Sequence, residues 1–389
     1  MKLLCLFLLT CALLLSQVKT LAPKEIEQGW ISLFDGETLF GWSNEGGAQW
    51  RVADGAIVAD TGEPGWLRSN SEFADFILAC EFRTSAKGNS GIFLRSAKEG
   101  PPHETGYELQ IWGGNPNFPT GSLVNHIKAR NANLKADEWN SYEIEARGDR
   151  FIIKLNGKTV LDGRDRKSKI GHIGLQFNKD NKIEFRNIKL KPLGLLPIFN
   201  GKTLVGWREV KAAKPPKEPP EWSVKDRAIH VEKGPGQLET MAVYSDFILQ
   251  LDIRTNPRDQ NHHPNSGVFF RGDTEGYWTG YESQIRNEYK SGDRTQPVDW
   301  GTGAIYNRVA TRKVVADDGQ YFTKTIVAKG RRMAVWINGY PVTDWEDPRP
   351  EGANAREAAR LAAGPISLQA HDPTTNLDFR NVRIVALRD

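Results

Sequence analysis

Cysteine is scarce in this chain, with three among 389 residues. Cys5 and Cys11 fall in an apolar leader, so the expected mature chain keeps only Cys80 and cannot close an internal disulfide. Cys80 belongs to the alternation Phe76, Leu78, Cys80, Phe82, which marks it as a small buried hydrophobe of a strand rather than a nucleophile. Long apolar runs are also missing. The one at residues 3–15 follows Lys2 and precedes Ser16-Gln17, the pattern of a secretory signal, and it is too short to span a membrane. Thr10 is a poor residue before a lipidated Cys11, so residues 1–20 read as a cleaved signal and the protein as exported, to the periplasm or beyond. There is no excess of one charge: 52 Lys and Arg face 48 Asp and Glu, a net of +4 that loses Lys2 and Lys19 with the leader. Nothing in that balance calls for nucleic acid or an anionic membrane. Helical periodicity is confined to one short insertion at residues 354–363, NAREAARLAA.

What the chain does have is a duplication. LFDGETLFGW, starting at Leu33, returns as IFNGKTLVGW from Ile198, identical at six of ten positions. ADFILACEFRT at Ala74 returns as SDFILQLDIRT at Ser245, NSGIFLR at Asn89 as NSGVFFR at Asn265, TGYELQI at Thr105 as TGYESQI at Thr279, and IEFRNIKL at Ile183 as LDFRNVRI at Leu377. Five blocks in one order define two domains, expected at residues 24–192 and 193–389, each long enough for its own core. The period is far too long for a solenoid or propeller unit. The joint at residues 191–197 is short and holds two prolines, which predicts a fixed relation between the domains.

Within each copy, alternating segments rich in aromatic and β-branched residues recur every 8 to 15 residues. Turn signals separate them, notably Asn156-Gly157 and Asn338-Gly339, dipeptides suited to type I′ hairpins. This is the pattern of two all-β sandwiches. Splitting each strand by its alternation leaves Tyr281, Ser283 and Ile285 on one face, with Glu282 and Gln284 on the other. Likewise Gly267, Phe269 and Arg271 oppose Val268 and Phe270, while Ser367, Gln369 and His371 oppose Ile366, Leu368 and Ala370. An ordinary solvated face is one reading of these polar groups. The other rests on their repetition: Arg95, Glu108, Gln110 and Gln176 return as Arg271, Glu282, Gln284 and Gln369. Such a set can hold a polyhydroxylated ligand, with Trp112, Tyr277, Trp278 and Tyr306 as candidate stacking surfaces. The copies part at His371, which aligns with Asn178. Histidine exchanges a proton near neutrality and asparagine does not, so the second copy is the candidate catalyst.

At these blocks the sequence resembles the 3-keto-disaccharide hydrolase family, once per copy over nearly the whole mature chain. The resemblance rests on LFDGxTLxGW, NSGIFLR, GYExQI, the NGxxVxD hairpin at Asn156 and Asn338, and the closing GxIxLQ…FRNIxI. It implies two tandem concanavalin A-like jelly rolls and cleavage of 3-keto-glycosides. The second copy also keeps GAIYN at Gly303 and LQAH at Leu368; the first departs to GSLVN at Gly121 and LQFN at Leu175, so it is expected to be degenerate. A ketone at C3 acidifies the C2 proton and sets the glycosidic oxygen β to the carbonyl, so elimination and water addition break the bond. That chemistry asks for a base, a stabiliser of the enolate and a proton donor. The candidates are His371, Glu282 and Arg271, with Gln284, Gln369, Tyr306, Trp278, Arg95, Glu108 and Gln110 as binding residues. A divalent metal on Glu282 and His371 is an alternative enolate stabiliser, whereas His262-His263 reads as a solvated loop. GYESQI presents one carboxylate and no ExDxxE-type strand, which disfavours the two-carboxylate mechanism of glucanases. A lectin-like protein with two non-catalytic domains is the competing reading.

Overall fold

The computed structural model describes residues 21–388 except 131, 180, 213 and 215; the expected signal lies outside the described residues. Four antiparallel sheets form two sandwiches of identical strand order. In the first domain the larger sheet runs Lys158–Arg164, Arg150–Leu155, Asn140–Arg147, Phe76–Thr84, Ile183–Pro192, Ala56–Ala59, Arg51–Ala53. The smaller runs Trp42–Ala48, Gly62–Phe73, Gly171–Phe177, Ser90–Ser96, Tyr107–Ile111. The second domain repeats both, its smaller sheet being Trp207–Lys211, Gly236–Tyr244, Gly364–Ala370, Ser266–Phe270, Tyr281–Ile285. These are jelly rolls, and their cores follow the sequence alternation. Phe76, Leu78, Cys80, Phe82 and Thr84 are buried one after another along their strand. Burial pushes the Cys80 thiol up to about 12, so it is inert near neutral pH.

The hairpins at Asn156-Gly157 and Asn338-Gly339 carry positive φ at both residues, as their turn type requires. Residues 354–363, in contrast, form no helix. They make one turn, in which Glu357 and Ala358 donate to the Asn354 carbonyl, and then bridge Glu351 to Ala359. Tertiary bonds override the local propensity: Arg356 reaches Glu282, and Arg360 donates its amide to the Tyr281 hydroxyl.

The two domains are packed, not merely linked. Ile248, Val327, Ala334, Trp336 and Leu387, from the outer face of the second domain's larger sheet and its end, join the first domain's core cluster. Trp336 Nε1 donates to the Ser32 carbonyl (2.8 Å), Gln250 Nε2 to the Gly29 carbonyl (2.9 Å) and Asn70 Nδ2 to Asp344 Oδ2 (2.5 Å). Arg312 lies over the Phe40 ring and pairs with Asp35 at 2.5 Å. Burial works to raise the Asp35 carboxyl, but bonds from Thr38, Arg312 and two backbone amides outweigh it and hold the pKa below its usual range. The joint is tied at both ends, by Leu193 to the Asp75 carbonyl and Ile198 to the Val382 carbonyl. Trp336→Ala should therefore cost about 3 kcal/mol in urea unfolding. In calorimetry it should separate a shared transition into two.

Candidate functional site

The outer face of the second domain's smaller sheet carries the polar groups in two transverse rows. Antiparallel pairing sets Glu282 opposite Phe269, Phe269 opposite Ser367, Ser367 opposite Glu239 and Glu239 opposite Arg208. One step along, Gln284 pairs with Gly267 and Gln369 with Gln237. The opposite face sends Tyr281, Ile285, Val268, Phe270, Ile366 and Leu368 into the core. Gly267 is a steric necessity here, because a Cβ on it would stand 2.7 Å from Glu282 Cγ. Glycine lets the carboxyl lie across the neighbouring strand. From the other sheet, the buried Lys324 donates to the Ser283 carbonyl (2.9 Å) and the Gln284 carbonyl (2.8 Å), fixing this strand from beneath. Tyr142 plays that part in the first domain, its hydroxyl donating to the Gln110 carbonyl at 2.7 Å. Burial holds the Lys324 ammonium well below its usual pKa.

Loops roof these rows, so Glu282, Gln284, Gln369 and Gln237 are almost wholly buried although they face away from the core. Burial raises the Glu282 carboxyl, and Arg356, 3.2 Å away, opposes that rise. Arg356 in turn lies over the rings of Trp278 (4.5 Å) and Phe269 (5.2 Å). His371 stands partly exposed just past its strand, with Nδ1 2.8 Å from Asp372 Oδ2 and Nε2 3.2 Å from Asn265 Nδ2. Its hydrogen bond holds the Asp372 carboxyl far below the usual range. Asp299 accepts from Asn265 (3.2 Å) and Gln284 (3.0 Å), tying the histidine end to the glutamine row. Four polar atoms have no protein partner: the side-chain oxygens of Gln284, Gln369 and Asn265, and Gln237 Nε2. Buried polar atoms are normally paired, so these three acceptors and one donor are unmet hydrogen-bonding capacity beneath the loops; the side-chain oxygens of Gln110 and Gln176 in the first domain are unpaired too.

The expected binding residues Gln284 and Gln369 are thus brought together with Glu282 and His371. Tyr306, half-buried, donates its amide to the Glu282 carbonyl and sets its ring edge-on to Trp300. Trp278 is exposed at the rim, and its amide donates to Gln237. Arg271 is a correction, because it does not reach the site. With φ at +54° it breaks the strand alternation and turns its guanidinium inside, onto the Ser245 and Gly330 carbonyls and Asp246. Arg95, at φ +53°, makes the same bonds to Ala74, Gly148 and Asp75 and is likewise no ligand residue. Their repetition reflects a shared structural clamp. The repeat of Asp75 as Asp246 was the available signal. Arg356, Asp299, Asn265, Asp372 and Gln237 escaped sequence reasoning, although Asp372 adjoins His371 and Asn265 opens a repeated block.

In the first domain the corresponding face is filled. Glu108 and Gln110 keep their places opposite Phe93 and Gly91, but Trp66 pairs with Gln176 where Gln237 pairs with Gln369. The Trp66 ring stands edge-on to Phe93 and lies so close over Gly174 that a Cβ there would meet it at 2.2 Å. Asn178 bonds its own loop, its side chain accepting from Lys179 and its carbonyl from Asn181.

Metal ligation fits the donors poorly. Among the described residues no three His, Cys, Asp or Glu side chains gather as a metal cluster, and Glu282 and His371 are engaged by Arg356 and Asp372. His262 and His263 bond Thr374 and Asp318 respectively.

A 3-keto-disaccharide hydrolase of Bacteroides thetaiotaomicron is 29% identical over 168 residues, which cover 34% of this chain and 58% of that protein. The match therefore spans less than two thirds of that relative's length. Among solved structures, a candidate glycosyl hydrolase from Parabacteroides distasonis is 22% identical over 45% of this chain and 99% of its own, with a TM-score of 0.42. The carbohydrate-binding module CBM66 from Bacillus subtilis is 21% identical over 38% and 94%, with a TM-score of 0.30. Residues 29–191 and 194–385 each match one family model, so the chain belongs to the family of 3-keto-alpha-glucoside-1,2-lyase-like domains and carries that domain twice.

Proposed function

We propose that this is an exported carbohydrate-active enzyme whose second domain breaks the glycosidic bond of 3-keto-glycosides, while the first is a non-catalytic binding or scaffolding partner. The observation that carries the reading is the pairing of a buried Glu282–Arg356 couple with a His371–Asp372 couple on one sheet face, amid unpartnered amide groups. Glu282, its carboxyl raised by burial, takes the C2 proton. Arg356 beside it receives the charge that moves onto the C3 oxygen, the part expected of Arg271. Because Asp372 holds Nδ1, Nε2 is the ring nitrogen through which His371 exchanges a proton with the leaving C1 oxygen, the substrate taking the place of the Asn265 amide that faces Nε2 in the free site. Water then adds at C1 of the resulting enone, losing a proton to His371 as Glu282 returns one to C2. The sum is hydrolysis without an oxocarbenium ion.

A lectin-like protein with no catalysis is the second reading, favoured by the duplication and by the loss of the histidine from the first domain, where Asn178 bonds its own loop. A 3-keto-disaccharide and its unoxidised parent, incubated with the mature protein in D2O, separate the two. The enzyme consumes only the ketone and leaves deuterium at C2; a lectin consumes neither, and consumption of the parent sugar would overturn the proposed chemistry. His371→Asn should lower kcat/KM by about 10² to 10⁴, and near-normal turnover would remove His371 from the reaction. Because the base must be ionised, kcat/KM should fall as pH drops through the raised Glu282 pKa. Arg356→Ala removes the cation that opposes the rise, so the acid limb should move to higher pH, whereas Arg356→Lys should keep it near the wild-type position.

A further inference from the structure

Five large hydrophobic side chains stand exposed among the described residues, and four of them lie in corresponding places. Leu196 (69% exposed), Val205 (81%), Met241 (63%) and Val243 (49%) all sit on the second domain. The repeat aligns them with Ile31, Phe40, Asn70 and Glu72 of the first. The local backbone is the same in both: Met241 donates its amide to the Gly206 carbonyl at 2.8 Å, as Asn70 does to Gly41. In the first domain this rim is where the second domain docks. Ser32, next to Ile31, receives Trp336; Phe40 lies under Arg312; Asn70 bonds Asp344. In the second domain these four positions are exposed among the described residues and apolar, while Asn200 and Lys202 stand where the docked rim has Asp35 and Glu37.

We propose that this rim is the interface of a two-fold dimer, with a second copy of this chain as the occupant. The repeat shows that a rim of this construction is covered by a domain of this family. The surface of a second copy that would extend the head-to-tail arrangement is the first domain's larger sheet, since the second domain's sheet is already used. That face does not match, because where Trp336 docks, the first domain has Lys154 paired with Glu143 at 2.7 Å, and Arg186 paired with Glu81 lies on the same sheet. An apolar rim would strip water from those ions without pairing them. Val205, Met241, Ala242 and Val243 carry no charge, so nothing at these positions repels the same patch of a second copy, and a two-fold axis that sets rim against rim closes the assembly.

Sedimentation velocity of the mature chain, over a concentration series reaching high micromolar, should show a dimer. Val205→Glu and Met241→Lys, singly and together, should yield a monomer with an unchanged thermal melt and unchanged second-domain activity. Met241→Cys should form an intermolecular disulfide under mild oxidation, because buried Cys80 does not compete. A chain that stays monomeric throughout, a dimer indifferent to both substitutions, or a monomer that binds lipid vesicles through these residues would overturn the proposal.

Discussion

The alternation of an antiparallel strand is the constraint on which the rest of this protein depends. Because Tyr281, Ser283 and Ile285 must face the core, Glu282 and Gln284 must face the other way, and the register then places them against Phe269, Gly267, Ser367 and Gln369. A slip of one residue would bury the carboxyl and expose the aromatics. Lys324 in one domain and Tyr142 in the other pin this strand from the opposite sheet, so the register is held from both the hydrophobic and the polar side.

Where alternation is suspended, the purpose is structural. Arg95 and Arg271 enter the left-handed region at the end of a strand, which aims a guanidinium at two carbonyls and a carboxylate inside the sandwich. The guanidinium is buried while its carboxylate is partly exposed, so loss of the carboxylate would leave an uncompensated buried charge. The positive charge beside Glu282 comes instead from Arg356, carried by an insertion found only in the second domain.

The two domains have diverged by opposite routes on the same scaffold. The first has lost room at its polar face, where Trp66 occupies the ground above Gly174, and has placed its rim under its neighbour. The second has Gln237 where the first has Trp66, keeps the histidine, and exposes apolar side chains at its rim. The proposed site and the proposed interface therefore fall on different parts of the second domain.

The duplication, the all-β class, the hairpin turns and the faces of Glu282, Gln284, Gln369 and Cys80 were legible in the sequence, because each is a local or period-two property. The contrast of His371 with Asn178 was legible because the chain contains its own comparison. Arg271 misled, since a pattern of period two does not announce the single residue whose φ changes sign. Arg356 and Asp299 lie on loops without counterparts in repeated blocks, and only the packed structure brings them to the carboxyl and the amides they serve. The would-be helix at residues 354–363 failed for the same reason: its arginines gain more from partners distant in the sequence than from a local turn. Sequence alone determined which strand residues face out. Tertiary structure decided which of those outward groups meet, because loop closure over a sheet depends on contacts between residues scores of positions apart.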